Sequence, residues 1–242
     1  MDEKILKNEI NKNRNRFMGT IWKYIDGKKS FKCGASYIGN NCFLSAAHCI
    51  YKIDRKNIRI HAGSSDLLKP KYVFEIKKII IHPKFESKKL NNDIALIFIK
   101  KDIRNSEFIP LSIPNKNMRK ECYRIGHQMC VIGHGNDDLK DKKKILRYIK
   151  SIIVKVLPFK GIYVRQKILT DNKFQANNYK NGKITDACHG DSGGPAIRKI
   201  NNKLYQIGIV SWGYDSKDNS YPGVYTRVMN YHDWIKKFLE IS

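Results

Sequence analysis

The sequence predicts an all-β protein, a barrel or a sandwich, with one helix at its C-terminus. Apolar runs are short and rich in β-branched and aromatic residues. Gly, Asn or Pro punctuation separates them at fairly even spacing, as in a chain of many short strands. Only one stretch near the end changes to a helical period.

In chain order, the strand candidates include Cys42-Phe43-Leu44, Ile58-Arg59-Ile60, Tyr72 to Ile81, Ile94 to Ile99, Met129 to Ile132, Ile149 to Leu157 and Tyr205 to Val210. Turns are expected at Gly39-Asn40-Asn41, Asn91-Asn92, Gly133-His134-Gly135 and Asn181-Gly182, where Gly and Asn tolerate positive φ. From Asn230 to Ile241 the residues Tyr231, Trp234, Ile235, Phe238 and Leu239 share one helical face, with Asn230 as the expected N-cap.

The 242 residues suit one large domain or two small halves sharing an interface. A hydrophobic content of 41% with 11% aromatics excludes wholesale disorder. No apolar run approaches the roughly 18 residues of a membrane-spanning helix. Met1-Asp2-Glu3-Lys4 leads into a polar Lys/Asn stretch without a signal-peptide core.

Forty-seven basic against 22 acidic residues give a formal charge of +25. That balance admits nucleic acid, acidic glycans or an anionic membrane surface as a polyanionic partner. The basic residues are scattered, however, and no nucleic-acid motif accompanies them. The densest clusters, Lys28-Lys29 with Lys32 and Lys140 with Lys142-Lys143-Lys144, read as exposed loops. The six cysteines, Cys33, Cys42, Cys49, Cys122, Cys130 and Cys188, contain no C-x-x-C zinc spacing. Their even number permits disulfides and an oxidising compartment without establishing either.

Three local sequences carry chemistry: Ser45-Ala46-Ala47-His48-Cys49, Asn92-Asp93-Ile94-Ala95-Leu96 and Gly190-Asp191-Ser192-Gly193-Gly194-Pro195. The last sets a serine in a Gly-rich turn whose N–H groups can converge near its hydroxyl. A serine hydroxyl becomes a useful nucleophile when a base takes its proton, and histidine suits that task near pH 7. The histidine in turn works best with a carboxylate that fixes its tautomer. His48, Asp93 and Ser192 supply these parts. Singly, each is more often a structural residue; together, in that order, they point to nucleophilic catalysis.

On these motifs, with Ile81-His82-Pro83, Ser211-Trp212-Gly213 and Pro222-Gly223-Val224-Tyr225, the sequence resembles the trypsin/chymotrypsin family of serine proteases from about Phe17 to the C-terminus. The resemblance implies two six-stranded antiparallel β-barrels with a C-terminal helix, and a cleft between the barrels. Within one peptidase domain the expected divisions are an activation segment at 1–16, barrels at 17–115 and 116–229, and a helix at 230–242. His48 would be general base and acid, Asp93 its orienting partner and Ser192 the nucleophile. Gly190 and Ser192 would donate the oxyanion-hole N–H groups, and Ser211-Trp212-Gly213 would pair with substrate backbone. Asp186, flanked by Gly213 and Gly223, would select Arg or Lys at the cleavage position. The resemblance further implies protein or peptide substrates, protein inhibitors, a monomer, secretion and no cofactor.

Departures from the family are equally specific. Activation would need a freed Ile5 amine, from a cut after Lys4, to reach Asp191, with Lys7 and Asn8 in place of the usual glycines. A Cys33–Cys49 bond is expected. Met229 and Arg198 occupy the positions of the usual partners of Cys122 and Cys130, no Cys follows Trp212 for Cys188, and Cys42 replaces what is commonly a core Trp. Buried free thiols are therefore expected. Lys69 and Lys71 stand where a calcium loop needs acids, so no metal is expected. By the same resemblance, the basic stretch from Trp22 to Phe31 is longer than in plain trypsins and would border the leaving side of the substrate, where acidic residues of a macromolecular partner would meet it. A non-catalytic module of the same fold and a basic polyanion-binding protein stay open as alternatives.

Overall fold

The computed structural model describes residues 3–135, 145–158, 170–180, 183–187, 189–213 and 222–240. Two closed antiparallel barrels make up the body. In the first, β1 (Met18–Ile25), β2 (Lys28–Gly39), β3 (Cys42–Ser45), β4 (Ile58–Ala62), β5 (Tyr72–Ile81) and β6 (Ala95–Ile99) close in the order β1-β2-β3-β6-β5-β4. Alternation sets the pleat: Phe74 and Ile76 of β5 point inward, while Val73, Glu75 and Lys77 point out. Strand β6, buried along its whole length, is the continuous apolar run seen in the sequence.

In the second barrel, β7 (Gln128–Gly135), β8 (Ile145–Val156), β9 (Lys173–Lys180), β11 (Pro195–Ile200), β12 (Lys203–Trp212) and β13 (Gly223–Arg227) form the ring β9-β13-β12-β11-β7-β8, closed by β8–β9 pairing. A short β10 (Lys183–Thr185) is appended to β9. Phe174 stacks on Tyr225 in this core, and Tyr123 packs edge-on against Phe174.

The expected turn at Gly39-Asn40-Asn41 is present, with all three residues at positive φ. Three expectations are corrected. Gly133-His134-Gly135 is the end of β7 rather than a turn, because Gly135 still pairs with Ile145. The basic Lys28-Lys29 stretch is not a loop: β1 and β2 pair out to Ile25 and Lys28 around a two-residue Asp26-Gly27 turn. Asn230 is no N-cap. It lies in a 3-10 turn, Val228–Tyr231, and its amide bonds Asn172 Oδ1 at 2.9 Å and the Asp171 carbonyl at 3.1 Å.

The C-terminal helix α3 (His232–Glu240) follows that turn; α2 (Arg119–Tyr123) joins the barrels. Ile235 of α3 is buried against the first barrel, with Trp234, Phe238 and Leu239 packed around it. Helix α1 (Glu3–Asn13) is a feature the sequence did not announce. Its Leu6 and Ile10 are buried with Cys130, Ile132, Ile153 and Ile197 of the second barrel. Salt bridging of Glu9 to Lys199 at 2.6 Å and a Ser151–Asn11 hydrogen bond at 2.7 Å flank that contact.

Cys33 and Cys49 form a disulfide. Cys42, Cys122 and Cys130 are buried free thiols, and burial pushes the last two up to about 12. Cys188, Asn181-Gly182 and Lys140 to Lys144 without exception lie outside the described residues. Among the described residues no helix is long and apolar enough to cross a membrane.

Candidate active site

His48 sits in the 3-10 turn Ala47–Cys49, directly after β3, and Asp93 sits just before β6. Pairing of β3 with β6 therefore brings the two together across 45 positions of sequence. Asp93 is fully buried. One carboxylate oxygen accepts the His48 backbone N–H at 2.9 Å, and the other accepts His48 Nδ1 at 2.7 Å. That second oxygen also takes the Ser211 hydroxyl at 2.6 Å, while the Asp93 carbonyl accepts from Thr226 Oγ1 at 2.9 Å. A buried carboxylate needs such donors. With the proton held on Nδ1, Nε2 is left as the basic nitrogen of a partly exposed imidazole.

Ser192 is half-buried in the loop leading into β11. Its carbonyl accepts the Gly34 N–H at 2.8 Å, and the loop is closed by Gly193 N–H to Val210 O (2.8 Å) and Gly194 N–H to Asp191 O (2.9 Å). A Cβ on Gly34 would come within 2.9 Å of the Gly194 Cα, so the two backbones can meet this closely only because residue 34 is glycine. Gly34 follows Cys33, Cys33 is bonded to Cys49, and Cys49 follows His48. This short path joins the Ser192 loop to the histidine. Among the described residues the Ser192 hydroxyl and the imidazole are not hydrogen-bonded to each other; Nε2 lies 3.6 Å from Cys49 Sγ.

Gly190 is buried at φ 101°, a conformation that turns the peptide chain sharply ahead of Ser192. Asp191 is buried, and its Oδ1 accepts the Gly135 N–H at 2.7 Å. Ile5 lies in the first turn of α1, so its nitrogen belongs to a peptide bond in the intact chain.

Asp186 accepts from Ala187 N–H at 2.6 Å, from the Tyr225 hydroxyl at 2.5 Å, and from Gly223 N–H. Burial outweighs these three donors and pushes the carboxyl up to about 7. A Cβ on Gly223 would run into the Asp186 carboxylate. Gly213 is exposed and Trp212 half-buried at the end of β12, with Ser211 buried beside them.

Cys33, His48 and Cys49 place ligand-type atoms within 4.8 Å of one another. Both sulfurs are spent in the disulfide, so this cluster offers no thiolate to a metal. Three supports escaped sequence reasoning: the Ser211 hydroxyl on Asp93, Thr226 on the Asp93 carbonyl, and Tyr225 on Asp186. Ser211 and Tyr225 stood inside motifs already singled out, but as backbone or family markers. Nothing local marked Thr226.

A family model described as Trypsin matches residues 8–235. Trypsin of Phaedon cochleariae is 32% identical over 216 residues, covering 86% of this chain and 79% of its own. Vitamin K-dependent protein C of Mus musculus is 29% identical over 223 residues, covering 89% of this chain and 48% of its own. The Oryctolagus cuniculus protein of that name is 31% identical over 230 residues, covering 90% and 49%. The chain thus spans about half the length of the protein C relatives it matches.

Proposed function

Because the chain belongs to the trypsin family of serine proteases, we propose that it is an endopeptidase that hydrolyses peptide bonds after Arg or Lys through an acyl-enzyme on Ser192. The observation that carries the reading is the grip of one buried carboxylate, Asp93, on both the backbone and the ring of His48. It orients Nε2 as the base and stabilises the imidazolium that forms when the base takes a proton.

In this reading substrate closes the remaining gap, since such contacts tighten when the Michaelis complex forms. Ser192 Oγ bonds to the scissile carbonyl carbon as its proton passes to His48 Nε2. The carbonyl oxygen, now negative, is met by the N–H groups of Gly190 and Ser192. The C–N bond then breaks, and Nε2 returns the proton to the leaving amine. Water repeats the sequence on the acyl-enzyme and frees Ser192. Ser211, Trp212 and Gly213 would hold the substrate backbone as an added strand.

Asp186 lies at the base of the specificity position, where an arriving guanidinium or ammonium restores the charge that burial suppresses. Gly223 lets the Asp186 carboxylate approach its backbone, and a Cβ at Gly213 would meet only the Ala187 carbonyl at 3.8 Å, so neither residue would block a long side chain. We assign Ile5, freed after Lys4, as the amine that would pair with Asp191, and we take the protein to be secreted, as the family resemblance implies. Turnover of fluorogenic peptides differing only in Arg, Lys, Phe or Ala at the cleavage position tests the specificity. Arg and Lys are expected to exceed the others by orders of magnitude; Phe equal to Arg would overturn it.

A further inference from the structure

Lys173 is a lysine with 1% of its surface exposed, at the start of β9. An ammonium so placed must be held by polar groups or by an aromatic face. Its Nζ donates to the Lys89 carbonyl at 3.1 Å and lies 5.9 Å from the Trp212 ring centre. The preceding residue reaches the same segment: Asn172 Nδ2 donates to Asn92 Oδ1 at 3.0 Å. Both bonds run from the second barrel to the stretch of the first that ends at Asp93.

Asn92 is the joint. It sits at φ 50°, accepts a second bond on Oδ1 from the Tyr231 hydroxyl at 3.0 Å, and donates Nδ2 to the Lys84 carbonyl at 2.7 Å. Its own carbonyl accepts Ile94 N–H at 2.9 Å, which bends the chain around Asp93. On β13, Thr226 is the register partner of Lys173 and holds the Asp93 carbonyl. Asn172 is itself anchored, through Arg227 N–H to its carbonyl at 2.8 Å and the Asn230 amide to its Oδ1 at 2.9 Å. Two neighbouring side chains of one barrel thus span to the segment that carries the carboxylate of the other.

We propose that Asn172 and Lys173 are positioning residues, a two-pronged clamp across the barrel interface that fixes residues 89–92 and, through Asn92, the orientation of Asp93 toward His48. The inference rests on the catalytic reading of His48, Asp93 and Ser192. Neither residue touches substrate in this account. Their effect is transmitted through the backbone on which Asp93 is carried.

The test compares full-length wild-type protein, cleaved after Lys4, with Asn172→Ala and with Lys173→Met treated in the same way; Lys173→Met replaces the buried ammonium by an apolar chain should the first variant not fold. Two readouts are taken on folded samples: the low-field proton resonance of His48 Nδ1–H, and kcat and KM on a short Arg peptide. The clamp predicts loss or upfield shift of that resonance, a kcat lowered about tenfold, and a KM within about twofold of wild type. Folded variants that keep both the resonance and kcat overturn it, as does the absence of the resonance in wild type. Wild-type protein with the resonance but no hydrolysis sinks the catalytic reading instead and leaves the clamp to be judged on the resonance.

Discussion

The Ser211 hydroxyl donates, at 2.6 Å, to the same Asp93 oxygen that receives His48 Nδ1. Ser211 therefore does more than supply backbone to a substrate: its side chain satisfies a buried anion. Removing it by Ser211→Ala is expected to lower kcat roughly ten- to a hundredfold, in line with a lost hydrogen bond to a charged group of roughly 1.5–3 kcal/mol. Asp93→Asn should be far more severe, on the order of the 10⁴ loss known for that change in the family. Steady-state kinetics on one peptide check both, and a Ser211→Ala loss as large as that of Asp93→Asn would contradict the ranking.

The raised carboxyl of Asp186 gives a pH dependence of defined sign. Below about 7 the empty pocket holds a neutral acid, so a guanidinium ligand must displace a proton to bind. Affinity should weaken by up to about tenfold per pH unit below that point and level off above it. Titration calorimetry in buffers of different ionisation heat should record proton release on the acid side. The same group lowers native stability as pH rises from the ordinary 3.8 towards about 7, because the native chain then holds its proton more tightly than the unfolded one. Flat affinity from pH 5 to 8 would oppose this.

The Cys33–Cys49 bond closes a separation of 16 residues. Replacing both cysteines by alanine is expected to cost about 3 kcal/mol of stability in urea titration. Activity should fall further than stability explains, because Gly34, which carries the Ser192 loop, is tethered through this bond to His48. Unchanged kcat in the folded double variant would show that the tether positions nothing.

Helix α1 places the Lys4–Ile5 bond in a helical turn, whereas a protease needs its substrate extended. Leu6 and Ile10, both buried, anchor the helix. Leu6→Ala or Ile10→Ala, each costing about 2–5 kcal/mol of packing, should speed cleavage after Lys4 by an added trypsin. N-terminal sequencing over a digestion time course measures this; equal rates would mean that α1 does not guard the bond.

What the sequence disclosed follows from which signals are local. The sequence bounds β5 at Tyr72 and Ile81, because apolar alternation and turn residues act within a few positions. His48, Asp93 and Ser192 stood out because their flanking Ala, Asn and Gly residues serve tight local geometry. By contrast β1, β2, β9, β10, β11 and β13 lie outside the expected runs; in β9, Lys173 to Lys180 is largely polar, and only its neighbours in the barrel make it a strand. Helix α1, with its many Lys and Asn, hides its two buried residues, Leu6 and Ile10, among polar ones. Asn230 looked like a cap because the helical period starts there, yet its amide is drawn to Asp171 and Asn172, about sixty residues earlier. The side-chain bonds of Thr226 and Ser211 to Asp93 likewise cross more than a hundred residues, a distance over which no spacing rule operates.

The most direct measurement of the central claim is active-site labelling with an organophosphate, read by intact mass and peptide mapping, on wild type and Ser192→Ala after cleavage at Lys4. The account predicts one adduct on Ser192 in wild type, its rate falling sharply in Asp93→Asn, and none in Ser192→Ala. A folded, cleaved wild-type protein that takes up no label, or that carries it on another residue, would contradict it.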